Sequence, residues 1–254
     1  MSVPSSGGGG DFRVGDVLSR AWTILSNNLL FFIGLSALVY VVMIIMVVLV
    51  VVLAVATGAF GRGGSFGALF VVFGIASVLA ILVVNMIGQA AMLFGAFQYL
   101  RGMPVRMGES LSRAFARIGP LVGATLLVSI CVGFAFLALV VPGIILFCMW
   151  AVVIPVCVVE ATGPTASMSR SAALTKGHRW QVFGIFLLIW LISAAAQIVQ
   201  VVLGQVSSVL ATLFSLGASV VLAAYIHCVV IMIYHDLRVA KEGIDTTQIA
   251  SVFD

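Results

Sequence analysis

Residues 29–57 read LLFFIGLSALVYVVMIIMVVLVVVLAVAT, and none of them is Asp, Glu, Lys or Arg. A helix covers the ~30 Å hydrocarbon core of a bilayer with about 20 apolar residues, so this run can cross with length to spare. Just before it stands LSRAW at 18–22, a pentad that returns as LSRAF at 111–115 and more loosely as MSRSA at 168–172. Each copy carries one arginine (Arg20, Arg113, Arg170) and precedes another long apolar run. The fold follows from how these two kinds of segment alternate.

Of the 254 residues, 63% are hydrophobic and 8% charged, whereas a soluble domain carries about 25% charged residues. So few charges cannot cover a water-exposed surface, and the chain reads as an integral membrane protein. Uncharged runs at roughly 29–57, 68–99, 121–141, 144–159, 182–203 and 209–234 predict six transmembrane helices. At ~1.5 Å per residue the first two would reach roughly 43 and 48 Å, and the fourth only about 24 Å. The turn VVPGII at 140–145 has no polar residue to hold it in water, so that hairpin's tip is expected within the membrane or at its outer edge. Pro142 and Gly143 make the turn. Pro155 removes the amide that would bond the Ala151 carbonyl, which predicts a kink.

The basic residues set the orientation. Arg13, Arg20, Arg101, Arg106, Arg113, Arg117, Arg170, Lys176, Arg179, Arg238 and Lys241 fall on one side of these spans, and Arg62 alone falls on the other. Lys and Arg collect in cytoplasmic loops, so both termini and the two long loops are expected in the cytoplasm. The net charge of +4 is then a mark of topology. Nucleic acid is not an expected partner, because no basic helix face with interleaved aromatics lies outside the apolar runs. The opening MSVPSSGGGG has neither the basic n-region nor the short apolar h-region of a signal peptide and reads as a flexible tail.

Around the pentads the apolar residues recur at helical spacing. Val14, Val17, Leu18, Ala21, Trp22 and Leu25 lie opposite Asp16, Ser19 and Arg20, while Leu111, Ala114, Phe115 and Ile118 lie across from Glu109, Arg113 and Arg117. The third element opens at Thr162-Gly163-Pro164, a cap followed by proline in the first turn, and closes at Lys176-Gly177. Each is expected to lie in the membrane interface with its apolar side down and its arginine toward phosphate. The chain is therefore read as all-α, with six spans arranged as three hairpins, each preceded by an interfacial amphipathic helix. A single membrane domain covers 11–234 as pseudo-repeats at 11–99, 105–159 and 163–234, with tails at 1–10 and 235–254. In the second tail Gly243 is a stop signal, and Asp245 with Gln248 resembles a capping box ahead of Ile249, Val252 and Phe253.

From Pro142 onward, PGIILFCMWAVVIPVCVVE, SMSRSAALTKGHRWQVFGI and YHDLRVAKEGID resemble the membrane domain associated with glycerophosphodiester phosphodiesterases, a broad bacterial family of six-helix membrane proteins. The resemblance rests on Pro142, Gly143, Pro155, Glu160, Arg170, Ser171, Lys176, Gly177, Trp180, Phe183, Gly184, Arg238, Glu242, Gly243 and Asp245. It covers the C-terminal half well and the first hairpin by pattern only. It implies the bacterial cytoplasmic membrane as location. In that family the phosphodiesterase chemistry belongs to a separate barrel domain, for which the residues after the sixth run leave no room, so the activity is not expected here.

Several polar residues fall at membrane depth, where they are either functional or structural. Asn85 and Gln89 are four apart on one face of the second span, His227 is deep in the sixth with Tyr225 two residues before it, and Gln197 and Gln200 come late in the fifth. They either line a polar cavity or join helices by hydrogen bonds worth ~0.6 kcal/mol each. No acidic residue shares that depth, which weighs against ion- or proton-coupled transport. Glu160 closes the fourth span and reads as a salt-bridge partner for Arg170 or Lys176. Arg20, Arg113, Arg170, Lys176 and Arg179 have two readings. They face phospholipid headgroups, each worth ~1 kcal/mol near an anionic surface, or they turn inward and form an anion, lipid-phosphate or partner site.

Cys131, Cys148, Cys157 and Cys228 all lie in apolar runs, with a spacing that suits neither a metal nor a disulfide framework. GRGGSFG at 61–67 lacks the Lys-Ser/Thr of a phosphate loop. No catalytic centre, metal or cofactor is expected. The expected function is non-enzymatic: a scaffold or accessory subunit that meets phospholipids or a partner (another membrane protein or a second copy) through its basic cytoplasmic face. The alternative is a small permease or channel using Asn85, Gln89 and His227, and an enzyme of lipid metabolism comes third.

Overall fold

A computed structural model describes residues 12–56, 66–100, 105, 107–116 and 118–243. Among these, ten helices follow one another: α1 (Val14–Asn27), α2 (Leu29–Ala56), α3 (Phe66–Leu100), α4 (Met107–Ala116), α5 (Ile118–Ala138), α6 (Val140–Met149), α7 (Val153–Val159), α8 (Pro164–Thr175), α9 (Arg179–Val206) and α10 (Ser208–Glu242). No strand occurs among the described residues. Six segments are long and apolar enough to cross a membrane, namely Leu29–Val55, Val72–Tyr99, Ile118–Ala138, Val140–Val159, Arg179–Val206 and Ser208–Glu242. The chain is an all-α, multi-pass membrane protein.

The core is gathered at one end. Apart from Ala54 and Ala211, the buried hydrophobic residues come from 12–35, 86–96, 121–124, 148–159, 174–189 and 224–237. These are α1 and the start of α2, the end of α3, the start of α5, the α6–α7 break with α7, the end of α8, the start of α9 and the end of α10. The other half of the bundle shows exposed aliphatics throughout, among them Ile45, Val52, Leu137 and Val206. A bilayer covers such a surface at no hydrophobic cost, so association there depends on close packing of small residues instead. At the core end, Gly88 and Gly95 of α3 leave room for α2. A Cβ at Gly88 would meet a Val39 methyl at 2.6 Å, and one at Gly95 would run into the Phe31 ring.

The first helix packs against the last. Val17, Ala21, Ile24 and Leu25 of α1 are buried, the Tyr225 hydroxyl donates to the Leu18 carbonyl at 3.1 Å, and Trp22 meets Tyr225 edge-on with ring centroids 6.1 Å apart. In contrast, α8 buries mostly hydroxyls: Ser167, Ser171 and Thr175, alongside Leu174.

The fourth span is interrupted rather than kinked. α6 ends at Met149 and α7 begins at Val153, so Pro155 stands in a first turn, where its missing amide has no intrahelical partner to lose. The freed Met149 carbonyl accepts from Ser171 Oγ at 2.9 Å and Thr175 Oγ1 at 3.2 Å. Between α5 and α6 the linker is Leu139 alone. Phe136 covers Gly143 there, and Leu139, Val140 and Val141 are exposed.

α10 continues beyond the expected boundary at 234 to Glu242, where Gly243 takes the left-handed φ of 62° and donates to the Val239 carbonyl. The Asp245–Gln248 pair, the GRGGSFG loop up to Ser65, and Arg62, Arg101, Arg106 and Arg117 lie outside the described residues.

Candidate functional site

The last turns of α10 are held by two sets of ion pairs. The Arg20 guanidinium of α1 pairs with Asp236, and its Nε donates to the Asp16 carbonyl at 3.2 Å. The other Asp236 oxygen lies 3.1 Å from His235 Nδ1. In the second set Arg170 of α8 sits between Glu160, with Nε–Oε2 at 2.9 Å, and Glu242. Arg238 bonds Glu242 at 2.9 Å and the Tyr234 hydroxyl at 3.2 Å, and that hydroxyl donates to Glu160 at 3.3 Å. Two guanidiniums and two carboxylates therefore cancel around one phenol. Burial alone would lower the Arg170 pKa, but its bonds to the Glu242 and Glu160 carboxylates outweigh that and hold it above the usual guanidinium value.

Two of the arginines singled out by the repeated pentad thus turn inward and meet carboxylates of the same chain. Glu160 does pair with Arg170. Arg113 stands in α4, and its side chain lies outside the described residues. Lys176 caps α8 and is exposed. Arg179 opens α9, with its Nε buried and unpartnered among the described residues, as is Nδ1 of the neighbouring His178.

A second polar region lies deeper in the bundle. A cavity of about 280 Å³ opens between α3, α5, α9, α10 and the α6–α7 break, with Gln89, Thr125 and His227 as its polar lining. Its remaining wall is apolar and aromatic, including Phe147, Trp150, Ile154 and Phe186. Thr125 Oγ1 is buried without a hydrogen-bond partner among the described residues. A helical threonine ordinarily returns its hydroxyl to the carbonyl one turn back, as Thr23 does to Ser19 at 3.0 Å and Thr212 to Ser208 at 2.8 Å. Thr125 makes no such bond; the residue lines the cavity while its hydroxyl itself is shielded.

Asn85 is not part of this site. Its amide donates to Met43 Sδ at 3.3 Å and to the Ile81 carbonyl at 3.0 Å, so it faces α2 while Gln89 faces the cavity. Residues four apart still differ by about 40° around a helix, enough to divide them between two neighbours. Gln197 is exposed and Gln200 half-buried on α9, and neither lines the cavity. Tyr225 is engaged with α1.

Sequence reasoning missed Thr125 and Trp150 in the cavity, and Asp236 and Tyr234 in the ion-paired end. The one signal available was the i,i+4 spacing of Arg238 and Glu242. Pro142 and Gly143 do not make the turn but stand in the first turn of α6, just after the Leu139 linker, and Pro155 lines the cavity from α7. Among the described residues no group of three or more His, Cys, Asp or Glu could hold a metal ion, and the four cysteines are free. No family model matches this chain, and no curated protein or solved structure does.

Proposed function

We propose that this chain is a non-enzymatic protein of the bacterial cytoplasmic membrane, with both termini in the cytoplasm, that takes a small molecule into its bundle as a permease or carrier does. The cavity carries this reading: Gln89, Thr125 and His227 face an interior space beside an interrupted helix. Irregular backbone is tolerated at membrane depth where it lines a cavity, and broken helices beside such sites recur in transporters. Ligand sites are in general mostly apolar with a few placed polar groups.

Reactivity of an introduced thiol tests it. In a chain whose four cysteines are replaced by serine, Thr125→Cys should react with N-ethylmaleimide many times faster than Val201→Cys on the exposed face of α9. Equal rates would overturn the reading.

A second reading keeps a specific observation on its side. A scaffold or accessory subunit that meets phospholipid headgroups or a partner through its basic face is supported by the exposed Trp22 and Trp180, which follow Arg20 and Lys176 closely. Tryptophan anchors proteins at the membrane–water interface, and α1, α4 and α8 would lie there. Arg20 and Arg170 support it less, because carboxylates already hold both. Kinship with the glycerophosphodiester phosphodiesterase membrane domain remains part of this proposal. The contact between Glu160 and Arg170 gives two of its shared positions a physical reason to occur together.

A further inference from the structure

Resting on the cavity reading, we infer that the site takes an uncharged amphiphile, with a hydroxyl, carbonyl or amide head on an apolar body, admitted from the lipid between α6 and α9. Among the described residues no charged side chain lines the cavity. An ionic head would lose its hydration there with no counter-charge to replace it, a cost that proteins avoid by pairing buried charges. The polar residues that line it are mixed: Thr125, Gln89 and His227 carry groups that can each donate and accept. Ala151 of the α6–α7 break also lines the space, bringing non-helical backbone to its wall. Such a set matches a compact neutral group able to do either.

The remaining surface suits an apolar body, and its outer wall is thin. Phe147 and Phe186 both line the cavity, and their rings meet edge-on with centroids 4.9 Å apart. Phe147 is also 41% exposed. One aromatic side chain thus borders the bilayer on one side and the cavity on the other. A molecule already dissolved in the membrane needs only a rotamer change at this pair to enter.

Trp150, in the wall, reports occupancy. A protein retaining it alone, with Trp22, Trp180 and Trp190 changed to Phe, is placed in lipid nanodiscs and titrated with terminally brominated hexanol, hexanoate and hexyltrimethylammonium. The alcohol should quench saturably, above the linear quenching caused by partitioning into lipid. The two ions should bind at least about tenfold more weakly, and Thr125→Val with His227→Leu should weaken the alcohol by about tenfold, the scale of one or two hydrogen bonds. Equal saturable quenching by either ion would overturn the neutral class and leave the cavity reading standing. Alcohol binding unchanged in a folded Thr125→Val/His227→Leu protein would overturn the polar-head assignment. Saturable quenching by none of the three would overturn the inference, and the cavity reading falls with it only if Thr125→Cys is also unreactive. Phe147→Ala should speed alcohol association, and an unchanged rate would overturn the lateral entrance.

Discussion

At the scale of single residues, the partners of the Arg20–Asp236 pair are not equal. Asp236 is the more buried, with 9% of its side chain exposed against 24% for Arg20. Removing the arginine strands a charge that cannot reach water, whereas an arginine left alone can extend its stem toward solvent. Arg20→Ala is therefore expected to cost about 2–3 kcal/mol, at the low end for a buried pair because Arg20 is partly wet. Asp236→Asn should cost less. Denaturant titration in detergent ranks the two, and the reverse order would show that the asymmetry of burial does not govern the pair. Glycines can be ranked in the same way. Gly95→Ala presses on Phe31, which is 8% exposed, and Gly143→Ala on Phe136, which is 43% exposed and free to swing outward. Overpacking costs about 1–3 kcal/mol, so Gly95→Ala should lower the thermal midpoint clearly more than Gly143→Ala. Some of this was legible beforehand. Glu160 is the carboxylate nearest in sequence to the third basic element, which made Arg170 a natural partner. Thr125 could not be picked out, because a helical threonine whose hydroxyl is left unbonded and one bonded to its own backbone look alike in a sequence.

At the scale of elements, the fourth span shows what a proline does and does not determine. Pro155 announced a disturbance of the helix, yet the break falls at 150–152, where hydroxyls from α8 donate to the freed Met149 carbonyl. Hydrophobic periodicity is a local signal and does not register a bond made across more than twenty residues. The same limit hid the difference between α1, whose buried face is aliphatic, and α8, whose buried face is largely hydroxylic. Ser171→Ala together with Thr175→Val should leave that carbonyl with no side-chain donor and cost about 1–3 kcal/mol. Pro155→Ala, in a first turn, should change stability by less than about 1 kcal/mol. Equilibrium unfolding of the two variants compares them, and a larger loss for Pro155→Ala would assign the break to the proline instead.

At the scale of the whole molecule, the six spans were legible because a bilayer imposes length and apolarity on whatever crosses it. The confinement of the core to one end was not, since both halves of each span draw on the same aliphatic residues. The proposed orientation is open to a direct check. Cysteines at Lys176 and Lys241 in a cysteine-free chain should react with a membrane-impermeant maleimide only in inverted vesicles, and labelling in intact cells would reverse the topology. Arg20 and Asp236 also stand 216 residues apart, and a ribosome adds about 5–20 residues per second. The first helix therefore waits on the order of 10–40 s for the carboxylate and the packing surface that complete it. Through that interval the bundle lacks its final clasp, so a chain cut short before α10 leaves α1 without the helix it packs on most and without the partner of Arg20. Emergence of the last helix from the ribosome is thus the step at which the first helix can acquire its ion-pair partner.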